Sequence, residues 1–150
     1  MKQSPQMTSR AQPLSRNDFR HFTAISTRWM DNDAYGHLNN VIYYSLFDSV
    51  VNQYLIAAGA LDIRHGEVIG LVVESRCHYF TPIEFPGDVD VGLRVSHTGS
   101  SSVSYQIGVF AHGHPLSAAH GELIHVYVNR DSRRPTAMPL ILSQALQGLL

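Results

Sequence analysis

Residues 28–40 read Arg-Trp-Met-Asp-Asn-Asp-Ala-Tyr-Gly-His-Leu-Asn-Asn, gathering carboxylates, amides, a histidine and a glycine just ahead of a long apolar segment. That segment, residues 41–58, reads as a helix, so the polar run lies at a helix N-terminus. There the first backbone N–H groups have no intrahelical partner and carry partial positive charge. A carboxylate held beside such donors can attack a carbonyl while the donors stabilise the oxyanion that results. Asp31 and Asp33 are the carboxylates in question.

The helix that must position them carries Val41, Ile42, Tyr43, Tyr44, Leu46, Phe47, Val50, Val51, Tyr54, Leu55 and Ile56. It is apolar around most of its circumference, which predicts a helix surrounded by other structure. Asn39 or Asn40 supplies the N-cap, and Gly59 follows at a C-cap position. Ahead of it, residues 19–28 predict a strand. Behind it the hydrophobic period changes from 3.6 to 2. Strands are predicted over 71–81, closed by Pro82, then over 89–95 and 103–109 with alternating Val, Leu, Ile and Tyr, and over 116–129, which ends with Ile124, Val126 and Val128 on one face. Residues 139–149 predict a short helix with Pro139 near its first turn. One strand, a helix and four consecutive strands joined by short turns imply a curved antiparallel sheet wrapping the helix. Such a sheet has edges to cover, so an oligomer is expected.

The chain has 150 residues, 44% hydrophobic, with a net charge of −1. That suits one domain with a sizeable core. Lys and Arg are scattered, which speaks against a nucleic-acid surface. The single cysteine, Cys77, excludes an intrachain disulfide and any multi-cysteine metal site, and favours a cytoplasmic setting. No apolar run is long enough to span a bilayer. Residues 1–18 are rich in Ser, Gln, Pro and basic side chains, without a signal-peptide core, and are expected to form a flexible tail ahead of a single domain over 19–150.

The run Asp33-Ala34-Tyr35-Gly36-His37-Leu38-Asn39-Asn40 followed by Val41-Ile42-Tyr43-Tyr44 resembles hot-dog fold acyl-CoA thioesterases of the 4-hydroxybenzoyl-CoA thioesterase type. The likeness is strongest to the branch whose helix opens Gly-His-x-Asn-Asn. It continues in Glu74-Ser75-Arg76-Cys77-His78-Tyr79-Phe80-Thr81-Pro82, in Gly87-Asp88 and in Val126-Tyr127-Val128-Asn129, covering roughly residues 19–150. The resemblance implies an α+β hot-dog fold in which the five strands above wrap the long central helix. It implies hydrolysis of an acyl-CoA to a free acid and coenzyme A, without cofactor or metal, by a homodimer or tetramer whose sites straddle subunits. Asp33 then corresponds to the catalytic carboxylate, as nucleophile or general base, and the backbone N–H of Asn40 polarises the carbonyl. The turn 97–102 lacks the basic residue many relatives carry there. That leaves the coenzyme A phosphate contacts unassigned and leaves room for a carrier-protein thioester.

Each site residue also has a plainer role. Asp33 is a favourable charge at a helix start, and Asp31 reads as structural or site-lining. Asn39 and Asn40 are caps as readily as substrate contacts. His37 either orients Asp33 or is a hydrogen-bonded loop residue. Gly36 suits a positive φ or a close substrate approach. Tyr35 and Tyr43 are expected to contact substrate. Asp48, inside the helix, reads as a helix residue near the site mouth or a subunit interface, with a second catalytic carboxylate as the alternative. His112 and His114 lie in a turn, and His120 and His125 fall on opposite faces of a strand, so the nine histidines form no metal pattern. The rivals are a hot-dog dehydratase using His37 on a 3-hydroxyacyl thioester, and a non-catalytic acyl-thioester binding module.

Overall fold

The computed structural model describes residues 10–150. Helix α1 (Asn40–Ala57) starts where the Asn39 side chain accepts from the Val41 N–H at 3.2 Å, so Asn39 is the cap and Asn40 the first helical residue. It stops as Gly59 takes a φ of +71° and the Ala60 N–H turns back to the Leu55 carbonyl.

Five antiparallel strands, β1 (His21–Ser26), β2 (Val68–Tyr79), β3 (Asp88–Thr98), β4 (Ser102–Ala111) and β5 (Ala119–Asn129), form one sheet in the order β1-β3-β4-β5-β2. The meander expected of the last four strands holds for β3, β4 and β5 only. β2 lies at the far edge, paired with β5 from Val68↔Asn129 to Tyr79↔Ala119 with a bulge between Val72 and Glu74. Short turns force β3, β4 and β5 to pair in succession, whereas residues 80–87 hold two prolines and are too long for a tight hairpin.

Alternation along the central strands points Val89, Val91, Leu93, Val95, Val103, Tyr105, Ile107 and Val109 into the core. On β5 the same parity selects Gly121, Leu123, His125 and Tyr127, so the apolar trio Ile124, Val126 and Val128 lies on the opposite face. Helix α1 meets this surface with Tyr43, Leu46, Phe47, Val50, Val51 and Leu55. Its other side is uncovered: Val41 is 60% and Ile56 47% exposed, with Ser45 and Asp48 between them. The sheet of one chain thus covers one side of the helix and does not surround it. Helix α2 (Leu140–Gln147) closes one end of the core through buried Leu142 and Leu146. It is pinned where the Tyr54 hydroxyl donates to the Ala145 carbonyl at 2.6 Å. No helix among the described residues is long and apolar enough to cross a membrane.

Of the expected tail, residues 1–9 lie outside the described residues. The remainder is not loose. The Leu14 N–H donates to Ser117 Oγ at 2.9 Å and the Ser117 N–H returns to the Leu14 carbonyl. Arg16 pairs with Asp90 at 2.9 Å and lies over the Phe110 ring. Phe19 is buried over Gly92 and Gly108, which face each other across β3 and β4 and leave room for its ring. These residues cover the outer face of the sheet, which polar composition alone does not reveal.

Gly121 sets how closely α1 approaches the sheet. A Cβ there would run into the Arg76 carbonyl oxygen and the Phe47 ring together. Gly121→Ala is therefore expected to destabilise the fold by about 1–3 kcal/mol, read from urea unfolding midpoints. An unchanged midpoint would mean that the helix yields freely.

Candidate active site

The loop between β1 and α1 is built from backbone to side chain. Asp31, 5% exposed, turns its carboxylate inward. It accepts from the Arg28 N–H at 2.8 Å and from the Arg28 guanidinium at 2.9 and 3.2 Å. Its carbonyl holds the Asn39 N–H at 2.8 Å. Asp31 is thereby a brace for the loop, as its sequence position suggested.

Asp33 closes a tight turn. Its N–H donates to the His37 carbonyl at 2.7 Å, and its carbonyl accepts from the Gly36 N–H at 3.1 Å. Gly36 has a φ of +80°, a left-handed conformation that other residues rarely adopt. The carboxylate uses Oδ1 to accept from the Tyr35 N–H at 2.8 Å and, more weakly, the His37 N–H at 3.4 Å. Oδ2 has no hydrogen-bond partner among the described residues. One oxygen is thus anchored and the other is not.

Opposite stands the end of β2 and the loop after it, stitched to this turn. The Leu38 N–H donates to the Ile83 carbonyl at 2.7 Å, and Asn32 Oδ1 accepts from the Phe85 N–H at 3.2 Å. Between them opens a cavity of about 480 Å³, bordered by Asp33, His37, Asn40, Tyr43, Tyr79 and Phe80. At its edge the Asn40 N–H, in the first turn of α1, has no partner among the described residues, while the Asn40 carbonyl accepts from the Tyr79 hydroxyl at 3.3 Å. Tyr43 and Tyr79 meet edge to face, centroids 5.1 Å apart. Burial pushes the Tyr43 hydroxyl up to about 12 and the Cys77 thiol up to about 11, and raises Tyr79 as well. Asp33 is the one acidic side chain on the wall of this cavity among the described residues. It also borders a second hollow of about 520 Å³, formed with Trp29 and Met30.

The structure thus brings Asp33, His37, Asn40 and Tyr43 together. It leaves two expected contacts outside the cavity. Tyr35 is 86% exposed and does not line it, because the turn at Gly36 carries position 35 outward. The Asn39 side chain is committed to capping α1. The His37 ring does not hold Asp33; its Nε2 lies 3.7 Å from Glu84, and only the His37 backbone touches Asp33. Asp48 is exposed on the open side of α1, its carboxyl raised by partial burial, and does not border the cavity. The residues not singled out from sequence are Tyr79, Phe80, Thr81 and Pro82. Their signal was their place at the end of the run 74–82 that carries the family resemblance, where they were given no role at the site. Among the described residues no three His, Cys, Asp or Glu side chains converge as a metal site.

A family model described as the thioesterase-like superfamily matches residues 27–146. The chain is 51% identical to the PA5185 protein of Pseudomonas aeruginosa strain PAO1, whose crystal structure superposes with a TM-score of 0.90 over 92% of this chain and 96% of that one. The PA2801 protein of Pseudomonas aeruginosa, described as a candidate thioesterase, is 25% identical, with a TM-score of 0.77 over 85% of this chain and 98% of that one. Slr0204, a 1,4-dihydroxy-2-naphthoyl-CoA thioesterase from Synechocystis, is 13% identical with a TM-score of 0.77, over 84% of this chain and 94% of that one, a likeness of fold alone.

The two aspartates of the loop differ in what they hold. Asp31→Asn places an amide against the Arg28 guanidinium in a buried position, and is expected to cost about 1–3 kcal/mol of stability. Asp33→Asn keeps the Oδ1 acceptor for Tyr35 and should leave the thermal midpoint nearly unchanged. Calorimetry of both variants checks the ranking, and the reverse order would refute this division of roles.

Proposed function

We propose, from the premise that the chain belongs to the thioesterase-like superfamily, that it hydrolyses an acyl-CoA to a carboxylic acid and free coenzyme A. The observation that supports this most is the pairing, across one cavity, of the unbound Asp33 Oδ2 with the unpaired N–H of Asn40. The thioester carbonyl would lie between them, its oxygen toward the start of α1. In one route Asp33 Oδ2 attacks the carbonyl carbon, the C–S bond breaks, and coenzyme A leaves as a thiolate that takes up a proton; water then hydrolyses the mixed anhydride. In the other, Asp33 takes a proton from water as that water attacks. In both, the helix-start N–H and partial charge stabilise the oxyanion. Oxygen-18 from labelled water appearing in Asp33 after a single turnover would identify the first route. His37, near Glu84 and on the cavity wall, is better placed to meet the substrate than to orient Asp33.

The expected activity is thiol release from at least one member of a panel of short, long, branched and aromatic acyl-CoAs, without added metal. A folded protein that releases none would refute the proposal. Asp33→Asn should lower kcat by roughly 10²-fold or more with little change in KM, because general acid–base groups contribute about 10² to 10⁴. Retention of more than about a third of kcat would remove Asp33 from the reaction, since no base in that range is lost so cheaply.

We further propose a homodimer, built on β2 and the open side of α1. Val72 and Val73 are 49% and 61% exposed on an edge strand with free backbone groups, beside the uncovered stripe of α1. Sedimentation should give at least a dimer at micromolar concentration, and Val73→Lys should shift it toward monomer with loss of activity. A fully active wild-type monomer would contradict the assembly.

A further inference from the structure

One short stretch of chain, residues 116–120, is held by the segment ahead of β1 and itself holds part of the candidate active site. On the first side, Leu14 exchanges two hydrogen bonds with Ser117, and Ser15 forms an isolated bridge with Leu116. Beside them the His120 ring, 8% exposed, brings Nε2 to 2.9 Å from the Gln12 carbonyl. A carbonyl only accepts, so Nε2 carries a proton. Burial above all lowers the pKa of this imidazole, so the ring is neutral at physiological pH and that proton is its only one.

On the second side, the Ala118 carbonyl accepts from the Phe80 N–H at 2.8 Å and from the Thr81 N–H at 3.1 Å. Phe80 lies one residue past the end of β2, where the ladder to β5 has stopped. Its ring rests against the His120 imidazole, with centroids 5.2 Å apart and planes inclined at 41°. Phe80 and Thr81 both border the cavity of about 480 Å³ that Asp33 and Asn40 share. His78, the cross-strand neighbour of His120, lies 5.6 Å from it but is exposed and does not border the cavity. Phe80 is therefore the ring through which His120 meets the site.

We propose that His120 is a positioning residue for the candidate active site: aimed by the Gln12 carbonyl, it fixes the Phe80 wall against which the substrate lies. Residues 12–15 thereby shape substrate binding in a cavity they do not touch. This rests on an acyl-CoA being the substrate. A wall contact is made in the ground state and the transition state alike, so its loss raises KM and spares kcat. A merely structural role gives the reverse. Lost stability lowers the folded fraction, and with it the apparent kcat, while KM stays as it was.

The test uses two variants of the full-length protein. His120→Phe keeps a ring against Phe80 but has no donor for Gln12. Ser117→Ala removes the acceptor of the Leu14 N–H, two residues from Gln12, and leaves His120 and Phe80 in place. In each, KM for the acyl-CoA that the wild type hydrolyses best should rise about five-fold, the worth of roughly one hydrogen bond, with kcat within about two-fold. With 4-fluorophenylalanine in place of phenylalanine, the Phe80 fluorine signal, identified by its loss in Phe80→Leu, should shift in Ser117→Ala. An unchanged KM in either folded variant overturns the proposal, as does a lowered kcat at constant KM. If His120→Phe fails to fold, Ser117→Ala decides. If the wild type hydrolyses no acyl-CoA, the functional reading fails, and the fluorine signal decides the positioning: a shift in Ser117→Ala upholds it and an unmoved signal overturns it.

Discussion

The seating of Phe47 on Gly121 is the contact on which the rest of the structure depends. A helix packs on a sheet at a distance set by the side chains between them. A glycine at the crossing lets a full aromatic ring fill the gap without a void. With that contact made, α1 has one depth and one rotation. Its buried positions meet the alternating core residues of β3, β4 and β5, and its first turn arrives beside the end of β2. The unpaired N–H of Asn40 is thus placed by a contact two turns away.

The loop ahead of α1 meets a different requirement. It holds the Asp33 carboxylate at the cavity wall with one oxygen left without a hydrogen-bond partner among the described residues. The division of labour between Asp31 and Asp33 achieves this. Asp31 takes the Arg28 guanidinium, and its carbonyl takes the Asn39 N–H, so the strongest local cation is occupied before it can reach Asp33. Asp33 is then held by weaker backbone donors on one oxygen only. Gly36 makes the turn possible, and the same turn carries the Tyr35 side chain out of the cavity.

Much of this was legible in the sequence. The helix, the period-2 strands and the cap showed because each follows from local chemistry: amides before an apolar run, alternation, glycine and proline at the ends. The polar run put Asp31, Asp33, Asn39 and Asn40 at the helix start for the same reason, while the family resemblance singled out Asp33 and the Asn40 N–H. What was not legible depends on pairings between distant residues. Nothing local says that β2 joins β5, and hence that Tyr79 and Phe80 wall the cavity. Parity alone did not say which face of β5 is the core, so the trio Ile124, Val126 and Val128 drew attention away from His125. The segment before Phe19 looked like a tail because its partners, Asp90, Phe110 and Ser117, lie 74 to 103 positions on. Tyr35 and Asn39 stood in the right motif, but a turn and a cap claimed them.

That last segment bears on how the chain comes to be folded during synthesis. Leu14 and Ser117 are separated by 103 positions, and Arg16 waits for Asp90 and Ala111. Residues 14–16 therefore cannot dock until the turn between β4 and β5 has emerged. Until then the glycine pair Gly92 and Gly108, and the Phe110 ring beside it, present an open apolar groove on the outer face of a growing sheet. The nascent chain carries its own cover for that groove from the start, tethered by β1 and ready to close once the groove exists.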